Sequence, residues 1–244
     1  MVFLYISDVA NPNAEFWTRR LTNELGKTFE KSEADDIIEL RDPDVFSEWL
    51  QQRDVDLVFI SCENEKRIIQ RFLNACRSLR IPYLFCTDTM AKLSVLAKYE
   101  PALHEVLAPV TRLEEEVYKA EILSVLRRYT LCKITLLEAN DYGSRAVRNT
   151  ERILKFIEDN AKNDNENTSP AVRKIKAVKS SDALYREISD RQRELVPDMV
   201  VMTASREYGL DDLLFGPAER HVICKSQVPV LLLNPRDDLF SLCD

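Results

Sequence analysis

Between Pro197 and Pro235 the chain reads P-D-M-V-V-M-T, then A-S-R-E-Y-G-L-D-D-L-L-F-G-P, then an amphipathic run and V-P-V-L-L-L-N-P. A buried strand that feeds a loop, a helix and a second buried strand is the unit in which α/β proteins hold phosphate. The main-chain N–H groups at the helix N-terminus face the anion there. Arg206 can pair with phosphate or carboxylate, and Gly216 lets backbone approach a ligand closely. Other chemistry is harder to assemble. Neither His104 nor His221 belongs to a recognisable metal-ligand motif, so a metal site is not expected, and no Ser or Thr has a histidine placed for a triad. The six cysteines, Cys62, Cys76, Cys86, Cys132, Cys224 and Cys243, form no C-x-x-C pair and read as reduced thiols. Glu114, Glu115 and Glu116 open a helical pattern, and Arg127 and Arg128 close it. Those are the ends where each charge is favoured, and both clusters read as structural.

The elements that must position the loop are set by composition and period. With 244 residues, 45% hydrophobic, 31% charged and only 4 glycines, the chain can bury a core in one large or two small domains. A net charge of -7 argues against nucleic acid or an anionic membrane surface as general partners. No apolar run approaches the length of a membrane span, and the start M-V-F-L-Y-I-S-D lacks the basic and long apolar regions of a signal peptide, so a cytoplasmic protein is expected.

Apolar strand-like runs alternate with helix-like runs, which predicts β-α-β units and a parallel sheet. Strands are expected at Val2 to Ser7, Asp36 to Leu40, Val55 to Ser61, Pro82 to Cys86, Val106 to Val110, Lys133 to Leu137, Lys174 to Val178 and Pro197 to Thr203, with a last one from Val228. Helices are expected at about Ala14 to Phe29, Asp44 to Gln52, Glu63 to Leu79, Thr89 to Tyr99, Leu113 to Tyr129 (Leu113, Val117, Ala120, Leu123 and Leu126 inward), Ser144 to Ala161 and Asp182 to Val196. The polar run from Asn160 to Pro170 reads as a loop.

A repeat emerges when the halves are aligned. V-D-L-V-F-I-S at Val55 has the pattern of P-D-M-V-V-M-T at Pro197, and I-P-Y-L-F at Ile81 that of V-P-V-L-L at Val228. The strands at Val2 and Val106 complete the correspondence, with the first half short by about one βα unit.

The block from Pro197 resembles the universal stress protein family, whose pattern D-L-I-V-M-G-x-x-G, G-L-x-x-L-L-L-G-S/T and P-V-L-V-V is met by D-M-V-V-M-T-A-S-R, G-L-D-D-L-L-F-G-P and P-V-L-L-L without a gap. The resemblance covers about Glu105 to Pro235 and extends to the first half only through strand patterns. It implies two Rossmann-like α/β domains with parallel sheets and helices on both faces. These would be a degenerate domain over 1–88, a helical connector over 89–103 and a full domain over 104–244.

The resemblance also names a nucleotide pocket of Pro109, Val110, Thr111, Thr203, Ser205, Arg206, Gly216 and Pro217. Nucleotide-binding members carry G-x-x-G-x(9)-G-S/T. Here the glycines fall on Thr203, Arg206 and Gly216, the Ser/Thr falls on Pro217, and Thr111 stands at the acidic position. A β-branched residue, a long cation and a residue with no N–H replace groups that would cradle phosphate. In the first half, Glu63 and Glu65 stand at the equivalent turn with no glycine. The expectation is therefore a vestigial pocket without cofactor, in a non-catalytic stress-response or regulatory module. ATP or AMP binding by a nucleotide or small-anion sensor, extending to slow hydrolysis, is the alternative. The family's pairing through its last strand implies an intrachain pseudo-dimer that brings Pro82 to Cys86 against Pro229 to Asn234, leaving a homodimer and an unidentified protein partner open.

Overall fold

The structure is a computed structural model that describes residues 2–7, 19, 28–31, 48–50, 52, 55–77, 81–90, 103–163, 172–204 and 216–234. Its strands are β1 Val2–Ser7, β2 Thr28–Lys31, β3 Val55–Cys62, β4 Tyr83–Thr87, β5 Glu105–Val110, β6 Lys133–Glu138, β7 Val172–Lys176, β8 Met199–Thr203 and β9 Val230–Leu233. The helices are α1 Lys66–Arg77, α2 Lys119–Thr130, α3 Arg145–Asn163, α4 Leu184–Leu195 and α5 Ala218–Lys225, with 3-10 turns at Glu114–Tyr118 and Ser181–Ala183. The chain divides into two compact units, 1–101 with 204–244, and 102–203.

In the first unit β1 lies between β2 and β3, and β3 runs beside β4, all parallel. β9 joins β4 antiparallel, Tyr83 opposite Leu232, Leu84 opposite Leu231 and Phe85 opposite Val230. Val58, Phe59 and Ile60 are consecutive and all buried. A strand with no alternation must be covered on both faces, and parallel strands built by crossovers are covered in that way. In α1 the buried residues Ile69, Phe72, Leu73 and Cys76 recur at helical spacing, so one stripe faces inward. α1 packs on α5, and polar side chains tie the segments around them. The Asn64 amide donates to Thr89 Oγ1 (2.9 Å) and to the Cys224 carbonyl (3.0 Å), and Asn234 donates to the Cys76 carbonyl (3.2 Å).

In the second unit β5 lies between β6 and β8, with β7 outside β6, all parallel. β5, β6 and β8 are buried almost throughout, whereas Arg173, Lys174 and Lys176 of β7 are exposed. That charged pattern suits a strand paired on one side.

Several expected boundaries move. Thr28 and Phe29 belong to a strand and not to the end of a helix; the β-branched and aromatic pair favours an extended chain. The expected strand at 36–40 and most of the helices at 14–29, 44–52 and 89–99 lie outside the described residues, as does most of the loop at 160–170, although α3 runs on to Asn163. The helix expected from Leu113 begins as a 3-10 turn and becomes α-helical at Lys119, and Leu113 is exposed before it. Val178 lies beyond β7 and is exposed.

Candidate functional site

The second unit builds outward from β5 to β6 and β7 and then returns to β8 on the other side of β5. The carboxyl ends of β5 and β8 therefore flank a topological switch point, where open α/β sheets place their ligands. Pro109, Val110 and Thr111 stand at the end of β5, and Thr203 ends β8. Val110 is buried. Thr203 is 7% exposed, and its hydroxyl has no hydrogen-bond partner among the described residues.

The groups beside Thr111 bond to one another. Thr111 Oγ1 donates to Glu116 Oε1 at 2.8 Å. Lys119 Nζ donates to the other oxygen of Glu116 and to the Pro109 carbonyl. Asn149 of α3 donates to the carbonyls of Thr111 (3.0 Å) and Leu113 (2.7 Å), which fixes the turn between them. Lys119 is 0% exposed and Glu116 2%. Burial pushes the Lys119 ammonium below its ordinary pKa, against the pull of the Glu116 carboxylate. Sequence reasoning did not single the two out as a pair, because three adjacent glutamates at a helix start satisfy the dipole rule. The i, i+3 spacing of Glu116 and Lys119 was the signal available.

A second polar cluster joins the loops that follow β5, β6 and β7. Arg112 holds Asp182 through two bonds (3.0 and 2.7 Å), and its backbone N–H reaches Ser181 Oγ. Ser181 in turn gives its N–H and hydroxyl to Asp141. The polar groups of this cluster thus bond to one another.

Gly216 and Pro217 belong to the first unit. Gly216 adopts φ of +85°, a left-handed conformation, and a methyl group there would overlap the Arg220 guanidinium. Arg220 also donates to Gln70 of α1 at 3.1 Å. The glycine is needed for its backbone angle and to admit this side chain. Pro217, at φ of -65°, is the N-cap of α5, a position whose backbone N–H has no acceptor within the helix, so its absence costs the helix no bond. Ser205 and Arg206 lie outside the described residues. Gly216→Ala is expected to destabilise the protein by about 1–2 kcal/mol, the strain of an L-residue in the left-handed region, measured as a lowered urea midpoint.

Among the described residues five cysteines form no disulfide, and no group of three or more His, Cys, Asp or Glu is placed to hold a metal ion. Burial raises the Cys86 thiol to about 12, so it stays protonated at neutral pH. Among the described residues no helix is long and apolar enough to cross a membrane.

The comparison with known families decides the relationship. The model of the universal stress protein family matches residues 102–234. The chain belongs to the universal stress protein family. None of the curated proteins matches it. Among solved structures, a universal stress protein from Archaeoglobus fulgidus DSM 4304 aligns over 97% of this chain and 97% of its own, at 10% identity and a TM-score of 0.56. A putative universal stress protein from Pseudomonas aeruginosa UCBPP-PA14 aligns over 99% of this chain and 84% of its own, at 15% identity and a TM-score of 0.51. A universal stress protein in complex with cAMP covers 55% of this chain and 98% of its own, at 16% identity and a TM-score of 0.41. The mostly parallel Rossmann-like α/β fold of this chain is the fold of the family.

Proposed function

We propose that this universal stress protein is a non-catalytic, cytoplasmic stress-response or regulatory interaction module that holds no ATP. The observation that carries the reading is Arg220. Gly216 is the one motif glycine that the chain retains, and its open side is filled by an internal guanidinium bonded to Gln70. Phosphate approaching that backbone would have to displace it. Thr203 and Pro217 at the neighbouring motif positions act in the same direction, one by bulk and one by the loss of a donor.

The reading includes an intrachain pseudo-dimer. Its support is the antiparallel ladder of β4 with β9, together with the recurrence of one strand order, β1 between β2 and β3, and β5 between β6 and β8. With β4 already paired on both sides, a protein partner would meet another surface, and a homodimer would need one too.

The Thr203 hydroxyl, buried and without a partner among the described residues, favours a second reading, a nucleotide or small-anion sensor at the switch point. Calorimetry and thermal shift with ATP, AMP and cAMP, on protein purified without nucleotide, separate the two. No saturable heat and no shift in Tm up to millimolar ligand are expected. Saturable binding that is abolished by Arg206→Ala would establish the sensor instead.

A further inference from the structure

Lys119 is placed against two general preferences. It is the first residue of α2, where the helix dipole disfavours a cation, and it is fully buried, where an ammonium loses its hydration. A lysine in such a place needs a compensating environment, and the chain supplies one. The ammonium donates to the Glu116 carboxylate and to the Pro109 carbonyl. The second carboxylate oxygen is held by Thr111 Oγ1, and the turn carrying Thr111 and Leu113 is held by Asn149. Every one of these partners presents an acceptor to the ammonium or orients one. This is the opposite polarity to a phosphate cradle, which presents N–H donors.

We propose that the carboxyl end of β5 is a socket for a primary ammonium ion, filled in the native chain by Lys119, and that it excludes anions. The Glu116 carboxylate supplies the charge and the Pro109 carbonyl the direction, so a cation without N–H groups does not satisfy it. The socket closes the crevice at β5 from within and makes the conformation of the 111–118 turn independent of any external ligand. This goes beyond the proposed function and stands apart from it: nucleotide calorimetry reports on the motif loop, amine binding on the socket.

Lys119→Ala removes a propylammonium's worth of side chain and leaves Glu116 buried without its partner. The Tm is expected to fall by roughly 10 °C, as for loss of one member of a buried pair. n-Propylammonium chloride is expected to restore part of that fall in the variant and to leave the wild type unchanged, while n-propanol, propionate and tetramethylammonium chloride at equal concentration do not restore it. Equal restoration by n-propanol or tetramethylammonium, or none by n-propylammonium, overturns the socket. Should the variant not fold, acylation of the wild-type amines decides. Lys119 is expected to react at least about tenfold more slowly than the exposed Lys133 and Lys176, because it reacts only through opening of the fold. Reaction of Lys119 at the rate of Lys133 rejects the proposal.

Discussion

Phe85→Ala is expected to lower the stability of the protein by about 4 kcal/mol, the range for a fully buried aromatic truncated to alanine. Phe85 is 0% exposed in β4, with Ile60 of β3 opposite it on one side and Val230 of β9 on the other. Its ring meets Tyr83 edge to face at 5.8 Å between centroids, which adds to its area burial. The cavity would open where the first hundred residues meet the last strand, two segments far apart in the sequence, so neither segment can refill it by local adjustment. Urea denaturation followed by circular dichroism measures the loss. Hydrogen exchange adds a test of location, because the amides of β4 and β9 should lose protection together. A loss below about 1 kcal/mol, within the range of a tolerated core swap, would show that the ladder does not depend on this side chain.

Glu187→Gln comes next, with an expected loss of about 3 kcal/mol at neutral pH, from charge-assisted hydrogen bonds that are removed or weakened together. The Glu187 carboxylate in α4 takes the N–H groups of Val178 (2.9 Å) and Lys179 (2.8 Å) and two N–H groups of Arg191 (2.9 and 2.8 Å). Burial alone would raise its pKa. The two backbone donors and the Arg191 guanidinium outweigh that, and the carboxyl ends below its ordinary value. A carboxyl with a depressed folded-state pKa adds stability above its unfolded pKa and loses it as pH falls through the folded value. The wild type should therefore lose this contribution on acidification below about pH 4, and the Glu187→Gln variant should lack that part of the slope. Urea midpoints at a series of pH values for both proteins provide the check, and identical slopes would refute the assignment.

The α/β class, the alternation of elements and the positions of β3, β4, β5, β6 and β8 were legible in the sequence because apolar runs of that length have few other solutions. So was the family, through spacing that places D-M-V-V-M-T, G-L-D-D-L-L-F-G-P and P-V-L-L-L in order. Boundaries were less legible where local rules compete. Thr28 and Phe29 carry a helical period yet pair with β1 through the backbone, and Leu113 carries a helical period yet precedes a 3-10 turn. Ladder partners and turn geometry decide such residues, and neither is written in a single segment.

The site divides in the same way. Residue types alone place Thr203, Arg206 and Pro217 at the positions where the family resemblance implies two glycines and a Ser or Thr. What the remaining groups do depends on the packed chain. The buried partners of Lys119 are Pro109, ten residues earlier, and Glu116, and the neighbour of Gly216 is an arginine oriented by Gln70, 150 residues away. A charge is buried or solvated according to what packs over it, and packing joins residues that sequence spacing keeps apart.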